Sequence, residues 1–416
     1  MSARIISIGT ELTLGQCVDT NAPWIAQQLA GVGIACGGHV TVPDDRHAIR
    51  DAIKSSVRDA KWVVITGGLG PTPDDLTREA LADALDSALH LDRASLDRIE
   101  AFFRDRNRTM PRANECQAMI PNGAVPIENT CGTAPGIRAR LDGADVYLLP
   151  GVPSEMKAMF ERDVRPSLHS TGDQAVIRQH VLHTFGLSEA DLGQKLADLM
   201  RRGRNPTVGT SAADLVITLR INGHGATPDA ADGLVETDVT EIRRRLGRHV
   251  FGDGSDTLAH AVGLLLGDQG ETVAVAESCT AGLLAKRLTD VAGASAYFLE
   301  GMVVYANASK QRMLDVPGEL IEAHGAVSKE VAESMAANCR RISGARYALS
   351  ATGIAGPAGG SPAKPVGLVY LGLASPESVQ VKELRLGATL TREQVRDRTV
   401  KIALNMLRLE LLRRKE

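Results

Sequence analysis

The sequence contains few aromatic residues, few cysteines and no long apolar run. Aromatic residues make up 3% of the 416 residues, so the cores must be filled mainly by Val, Ile, Leu and Ala. The six cysteines are scattered and form no CxxC pair, so neither a disulfide framework nor a zinc ribbon is indicated. The apolar runs before Glu11 and at 261–266 are too short for a signal peptide or a bilayer span. We therefore expect a cytoplasmic protein.

The chain also lacks a large excess of charge of either sign. Its formal net charge of -3 gives no broad field that would attract nucleic acid or an anionic membrane. We expect small molecules as ligands, no nucleic acid or membrane partner, and a homo-oligomer. The length of 416 residues exceeds what one hydrophobic core usually serves, so it predicts two or three domains.

The order of strand-like and helix-like segments predicts the domain organisation. Strand-like and helix-like segments alternate through residues 1–170, which is typical of a parallel sheet covered by helices. A polar stretch at 167–174 interrupts this pattern as a linker, and residues 173–251 then predict a small α+β unit. Residues 255–412 return to α/β texture. The predicted fold class is α/β, with two parallel-sheet domains joined by a small α+β domain.

The strongest local pattern is TVAVAESCTAGLLAKRL, in which a buried-looking strand runs through Ser278 into a helix. Such a turn holds its side chains at the carboxyl edge of a sheet and near a positive helix end, which suits a nucleophile. The alternative is helix capping, because Ser and Thr are favoured N-caps. The N–H groups of Cys279 and Thr280, at this helix terminus, are candidate oxyanion donors. Cys279 is the rival nucleophile, since a thiol is intrinsically more reactive than a hydroxyl.

A second strand, GMVVY, ends in the polar turn YANASK, which carries Lys310. If the two strands are parallel, both turns lie at one sheet edge, and we expect Lys310 to approach Ser278. A lysine near hydrophobic walls has a depressed pKa and acts as a general base for a serine hydroxyl. The alternative is a solvated surface lysine.

Two further segments follow in the C-terminal region. The loop ATGIAGPAGGSPAKPVG at 351–367 carries five glycines, which let backbone N–H groups approach an anion. Thr352 and Lys364 are candidate donors to phosphate or ribose, and a plain turn-rich loop is the alternative. In TREQVRDRTV, the four-residue interval places Arg392 and Arg396 on one helix face, with Arg398 less aligned. Exposed arginines are the alternative there.

The N-terminal region carries GTELTLG at 9–15, DTNAPWIAQQL at 19–29 and TGGLGPTPDDLT at 66–77. The glycines allow close ligand approach, while Asp74 and Asp75 are candidates for a divalent ion that bridges phosphates. The alternative is that these two carboxylates cap the helix that they open.

Three linked motifs in the C-terminal region, AESCT, VVYANASK and ATGIAGPAGG followed by KPVG, closely resemble the CinA C-terminal family over about 255–412. These are the nicotinamide mononucleotide amidohydrolases of pyridine nucleotide salvage, which release ammonia without a cofactor. One departure is Ala281, where the family pattern has glycine. The resemblance implies Ser278 as nucleophile, Lys310 as base and Tyr305 nearby, with substrate contacts from Cys279, Thr280, Thr352, Gly353, Gly356, Gly359, Gly360, Lys364 and Arg396.

The first region resembles the molybdopterin-binding fold of the MoaB and MogA type found in CinA proteins, also at 122–136 and 148–156, and the middle segment resembles their KH-like insert. Some members are metal-dependent ADP-ribose pyrophosphatases, so the resemblance implies a possible divalent metal. A third interpretation is a pterin- or partner-binding scaffold in DNA uptake, although no basic, aromatic-interleaved patch supports direct DNA binding. The implied residues are Glu11, Asn21, Gly67, Gly68 and Gly70 for nucleotide, and Asp19, Asp74 and Asp75 for metal.

Overall fold

The structure, a computed structural model, describes residues 2–168 and 176–414. The chain divides into two compact units: Met1–Gln179 with Gly223–Leu234, and His180–Asn222 with Val235–Glu416. The linker predicted at 167–174 lies outside the described residues from 169 onward.

The N-terminal region forms a six-stranded sheet. Its central strand Trp62–Thr66 is buried at every position, as expected where helices cover both faces of a parallel sheet. The elements in chain order are β1 (Ser2–Ile8), α1 (Thr10–Thr13), α2 (Asn21–Gly31), β2 (Ala35–Val42), α3 (Arg46–Asp59), β3 (Trp62–Thr66), α4 (Thr77–Ala84), β4 (Leu89–Leu91), α5 (Arg93–Arg104), β5 (Met119–Pro121), β6 (Val125–Ile127), β7 (Gly136–Leu141), β8 (Ala144–Leu149) and α6 (Pro153–Met159).

The order of this sheet is β2-β1-β3-β8-β7-β6, and the first four strands are parallel. Strands β7 and β6 extend it antiparallel, and β4 pairs separately with β5. The parallel α/β prediction is confirmed. The helix predicted to open at Asp74 begins instead at Thr77, so the two aspartates lie in the preceding turn.

The middle region is the predicted α+β unit, with a four-stranded sheet in the order β10-β11-β9-β12. The helix predicted after the first strand is capped by Ser188, whose side chain accepts from the N–H of Asp191. The elements are β9 (Val176–Phe185), α7 (Glu189–Lys195), β10 (Thr207–Ala213), β11 (Val216–Gly225), α8 (Pro228–Leu246) and β12 (Val250–Asp253).

The C-terminal region is built on a five-stranded sheet in the order β14-β13-β15-β16-β17. The elements are α9 (Leu258–Gln269), β13 (Val273–Glu277), α10 (Leu283–Thr289), β14 (Phe298–Val303), α11 (Asn307–Leu314), α12 (Gly318–His324), α13 (Lys329–Ser343), β15 (Tyr347–Gly353), β16 (Leu368–Ala374), β17 (Val379–Arg385) and α14 (Arg392–Arg413).

Strand β13 runs parallel to both β14 and β15, so the carboxyl ends of all three strands lie at one edge. Strands β16 and β17 continue the sheet antiparallel, and β17 was not predicted. The α/β class is confirmed here too, with parallel strands at the edge where the candidate residues lie. Among residues 2–168 and 176–414, no helix is long and apolar enough to cross a membrane.

Candidate active site

Ser278 directly follows β13, at the edge where the three parallel strands end. Every residue of β13 is buried, and the N–H of Ser278 donates to the carbonyl of Ala351 on β15 at 2.9 Å. The Ser278 residue itself is 9% exposed, so it is buried but not fully closed off from solvent. The strand pair thus fixes the main chain beneath the candidate nucleophile.

Lys310 lies on α11, and its Nζ is 3.1 Å from the Oγ of Ser278. The same Nζ donates to the carbonyls of Val304 at 3.0 Å and Tyr305 at 3.1 Å. Lys310 is 1% exposed, so the alternative of a solvated surface lysine is wrong. The expected approach of Lys310 to Ser278 is confirmed. The parallel pairing of β13 and β14 is what brings the two turns together.

The surroundings of Lys310 favour a neutral amine. Burial lowers the pKa of Lys310, because the charged form loses its hydration, while the Cys279 side chain acts weakly in the opposite direction. As a charged amine, Nζ donates to the Ser278 Oγ and to both carbonyls. Once it loses a proton, it keeps two hydrogens for the carbonyls and has a lone pair for the Ser278 hydroxyl. The arrangement can therefore take a proton from Ser278.

The turn after Ser278 differs from the sequence-based expectation. Helix α10 starts at Leu283 with Gly282 as N-cap and no capping bond from that residue, so Ser278 and Thr280 are not helix caps. The N–H groups of Cys279 and Thr280 therefore lie in the turn and not at the helix end. Within the described ranges, neither N–H donates to a backbone carbonyl, although both act on the Cys279 sulfur, so they remain candidate oxyanion donors from the turn.

The structure also bears on Cys279 as rival nucleophile. Cys279 is 4% exposed, and burial raises the pKa of its thiol to about 12, although backbone N–H groups act in the opposite direction. At neutral pH the reactive thiolate is therefore scarce. Geometry and protonation both favour Ser278.

Ala281 occupies a backbone conformation that suits glycine. Its φ is 49°, in the left-handed region, which costs an L-residue roughly 1–2 kcal/mol. We expect Ala281→Gly to raise the free energy of unfolding by about 0.5–1 kcal/mol, since glycine's extra unfolded-state entropy offsets part of the relief. Thermal or urea unfolding measures this. Ala337→Gly, within α13, is the matched control of opposite sign, and a destabilised Ala281→Gly would contradict the assignment of strain.

The glycine loop after β15 packs closely against the backbone of neighbouring segments of the same chain. A side chain at Gly353 would lie 2.8 Å from the carbonyl of Leu368, and one at Gly360 would lie 2.8 Å from the N–H of Val366. These two glycines are thus required by close backbone packing. Gly356, which precedes a cis proline, and Gly359 lie between them in the same loop.

Thr352 and Lys364, expected as ligand donors, already have protein partners. The hydroxyl of Thr352 donates to the carbonyl of Ala326 at 2.7 Å. The Nζ of Lys364 donates to the carbonyls of His324 at 2.5 Å and Val327 at 2.8 Å. Both side chains tie the glycine loop to the segment before α13, and neither is hydrogen-bonded to Ser278 or Lys310 among the described residues.

Helix α14 brings Arg392 and Arg396 to the site, on one face as expected. Arg392 donates to the carbonyl of Gly356 and to the hydroxyl of Tyr305, each at 2.9 Å. Arg396 donates to the carbonyl of Thr280 at 2.7 Å. Arg398 lies elsewhere, with Nη2 3.3 Å from a carboxylate oxygen of Asp214. Arg392 thus bridges the glycine loop and Tyr305. Helical spacing alone showed only that Arg392 and Arg396 share a face, not what that face contacts.

In the N-terminal region, the expected residues Asp19 and Asn21 lie together at the carboxyl edge of the sheet. One oxygen of Asp19 accepts from the Ser7 hydroxyl at 2.5 Å, and the other accepts from the N–H of Asn21 at 2.9 Å. The Nδ2 of Asn21 donates to the hydroxyl of Thr66 at 3.0 Å and the carbonyl of Gly151 at 2.8 Å. Its buried Oδ1 has no hydrogen-bond partner among the residues that the structure describes. This cluster is consistent with a polar ligand site.

The remaining N-terminal candidates are dispersed along the adjacent turns. Gly67 has φ 109° and sits against the carbonyl of Ile8, where a Cβ would lie at 2.3 Å. Gly68 and Gly70 follow, and Asp75 accepts from the N–H of Thr72 at 2.9 Å instead of capping α4. Glu11 lies exposed in the short helix α1, and Asp74 is exposed in the turn before α4.

These residues do not fit a metal centre as they are arranged. Both oxygens of Asp19 accept hydrogen bonds from the protein, and Asp75 is bound to Thr72. Across the described part of the chain, no group of three or more His, Cys, Asp or Glu side chains is placed to hold an ion. The expected set Asp19, Asp74 and Asp75 is therefore not assembled as a metal site in the described residues.

Comparison with known proteins accounts for nearly the whole chain. Family matches are "CinA C-terminal domain" at 255–411, "Probable molybdopterin binding domain" at 4–170 and "Damage-inducible protein CinA KH domain" at 179–252. A "CinA-like protein" of Geobacter sulfurreducens is 42% identical over 413 residues, which cover 99% of this chain and 100% of the relative. A "CinA-like protein" of Dictyoglomus thermophilum is 41% identical over 412 residues, with 99% and 100% covered.

Among solved structures, the competence/damage inducible protein CihA from Agrobacterium tumefaciens is 42% identical. It covers 37% of this chain and 93% of its own, with a TM-score of 0.36. The protein CinA from Thermoplasma acidophilum, described as of unknown function, is 33% identical and covers 40% of this chain and 98% of its own, with a TM-score of 0.38.

Proposed function

Because this chain belongs to the CinA family, we propose that its C-terminal region hydrolyses nicotinamide mononucleotide to nicotinate mononucleotide and ammonia. The observation that carries the proposal is the buried pair of Ser278 and Lys310, with Nζ and Oγ 3.1 Å apart. A serine with an adjacent low-pKa lysine is a known solution for amide hydrolysis, since the lysine supplies the base that a serine hydroxyl needs.

In the first step, neutral Lys310 takes the hydroxyl proton of Ser278 as Oγ attacks the amide carbonyl carbon. The carbonyl oxygen becomes an oxyanion, and we assign the N–H groups of Cys279 and Thr280, which lack backbone carbonyl partners among the described residues, as its donors. Protonated Lys310 then gives its proton to the amide nitrogen, and ammonia leaves. Water attacks the resulting ester with Lys310 again as base, which releases the carboxylate product and restores Ser278.

Basic side chains at the rim suit a phosphorylated substrate. Arg392 and Arg396 each use part of their guanidinium N–H groups on protein carbonyls or the Tyr305 hydroxyl, so other N–H groups remain for phosphate oxygens. Tyr305 is 57% exposed, and its ring offers a face for a planar cationic base. We therefore propose that the site binds nucleotides and that the reaction uses no metal or organic cofactor.

The direct test is to incubate the purified protein with nicotinamide mononucleotide in the presence of EDTA. We expect ammonia and nicotinate mononucleotide in equal amounts. Nicotinamide riboside, which lacks the phosphate, is expected to react with kcat/KM about 10- to 100-fold lower, because hydrogen bonds to charged groups contribute about 1.5–3 kcal/mol each. Ammonia release no greater than that of Ser278→Ala would refute the proposal.

A further inference from the structure

Glu277 is a fully buried carboxylate next to the nucleophile, with no part in the steps above. It is the last residue of β13 and is 0% exposed, although carboxylates are rarely buried without partners. Its main chain is paired as well, since its carbonyl accepts from the N–H of Val304 at 2.8 Å. A buried charge at this position needs a physical explanation.

The side chain of Glu277 reaches over the turn and binds the start of α10. One oxygen accepts from the N–H groups of Gly282 and Leu284, both at 3.0 Å, and the other accepts from Ala285 at 2.7 Å. These are N–H groups that a helix end leaves without partners, and α10 has no capping bond from its own N-cap residue. Glu277 therefore replaces a local cap with a carboxylate from the strand end, and its charge suits the positive helix end.

This contact closes a short ring of chain around the nucleophile. The turn 278–281 begins where β13 ends and finishes where Glu277 holds α10. Two hydrogen bonds fix the turn between these ends. The N–H of Ser278 donates to the carbonyl of Ala351, and Arg396 donates to the carbonyl of Thr280. With α10 held, the turn that carries the N–H groups of Cys279 and Thr280 is fixed at both of its ends. Since the N–H groups of Gly282, Leu284 and Ala285 bind Glu277, they cannot serve the oxyanion.

We propose that Glu277 is a positioning residue that sets the geometry of the nucleophile turn by anchoring α10 to the end of β13. The inference rests on the proposed function for its kinetic readout, but the anchoring itself concerns only this chain. Displacement of Oγ and the oxyanion donors by about 1 Å is enough to cost about 100-fold in rate. The contacts of Arg392 with Gly356 and Tyr305 do not involve α10.

The test compares wild type with Glu277→Gln, which keeps the side-chain volume but turns one acceptor into an NH₂ group facing backbone N–H groups. We expect kcat for nicotinamide mononucleotide to fall about 10- to 100-fold, with KM changed by less than about threefold. Thr257→Ala is the matched control, because it removes the N-cap of α9, outside the site. We expect Thr257→Ala to lower the melting temperature about as much as Glu277→Gln does, and to leave kcat unchanged.

A second readout separates this inference from the proposed function. A fluorophosphonate probe reacts with activated serines irrespective of the natural substrate, so its rate of labelling at Ser278 reports the turn geometry alone. We expect Glu277→Gln to label at least about 10-fold more slowly than wild type and Thr257→Ala to label normally. Labelled wild type that releases no ammonia would refute the proposed function only.

Three results would overturn the role of Glu277. They are unchanged labelling and kcat in Glu277→Gln, equal losses in Glu277→Gln and Thr257→Ala, and no labelling of Ser278 in wild type. If Glu277→Gln does not fold, Glu277→Asp decides the question, since it keeps the charge but draws the carboxylate back by one methylene. Labelling of Glu277→Asp at the wild-type rate would then reject the anchoring role.

Discussion

Replacing Ser278 with alanine is expected to reduce ammonia release from nicotinamide mononucleotide by at least about 10,000-fold. The Oγ atom forms the covalent bond in the proposed reaction. Among the described residues, it is also the only hydroxyl oxygen hydrogen-bonded to Lys310. Without Oγ, a water molecule must attack directly. Steady-state ammonia assays measure the loss, and thermal unfolding verifies that Ser278→Ala is folded.

Cys279→Ala is the control that decides between the two candidate nucleophiles. Burial raises the pKa of the Cys279 thiol to about 12, so little thiolate exists at neutral pH and the variant should keep activity within about tenfold of wild type. The reverse pattern, an active Ser278→Ala and an inactive Cys279→Ala, would assign the chemistry to the thiol.

Removing the amine of Lys310 is the second change with a large expected effect. We expect Lys310→Met to lower kcat about 1,000-fold, in the range typical for loss of a general base. Lys310→Arg keeps a cation but cannot accept a proton near neutral pH, so it should be about as inactive. An Arg variant close to wild-type activity would show that positive charge, and not proton transfer, is what the site needs.

The pH dependence of kcat/KM gives a separate test of the same group. Only the neutral amine accepts a proton, so activity should rise with pH as Lys310 deprotonates and level off above its pKa. Because burial lowers that pKa from 10.5, the rise should be centred below 10.5. In Lys310→Met the residual activity should lack this rise, and the same acidic limb in wild type and Lys310→Met would assign it to another group.

The sequence predicted the core of the candidate site because the necessary information is local. A buried strand followed by a polar turn occurs twice, around Ser278 and before Lys310, and parallel pairing of two such strands brings the turns to one edge. The one assumption was that the strands are adjacent and parallel. Once β13 and β14 pair as predicted, the contact between Oγ and Nζ follows.

The contacts that sequence reasoning missed are those set by packing between distant segments. Arg392 meets Tyr305 across 87 positions of sequence, and Arg396 meets Thr280 across 116. Helical spacing shows that the two arginines share a face, but not which surface that face covers. The cap of α10 was misjudged for a similar reason: Ser and Thr are preferred caps, yet a carboxylate five residues before Gly282 took that role.

The N-terminal expectations show the same limit. Gly67 and Gly68 adopt positive φ in the turn after β3, but the partners of the nearby carboxylates depend on local hydroxyl and N–H groups. Asp75 binds Thr72 and Asp19 binds Ser7, so the pattern of acidic residues alone overestimated how many carboxylates are free for an ion.

The position of α14 in the chain has a consequence for synthesis. The ribosome makes the turn that carries Ser278 well before it makes Arg396, which lies 116 positions beyond Thr280 and holds the carbonyl of that residue. Domains fold as units once their segments are available. A nascent chain that stops before α14 therefore carries the nucleophile and its base without the brace on the turn or the arginine rim. We therefore expect a product that ends before α14 to lack the proposed activity.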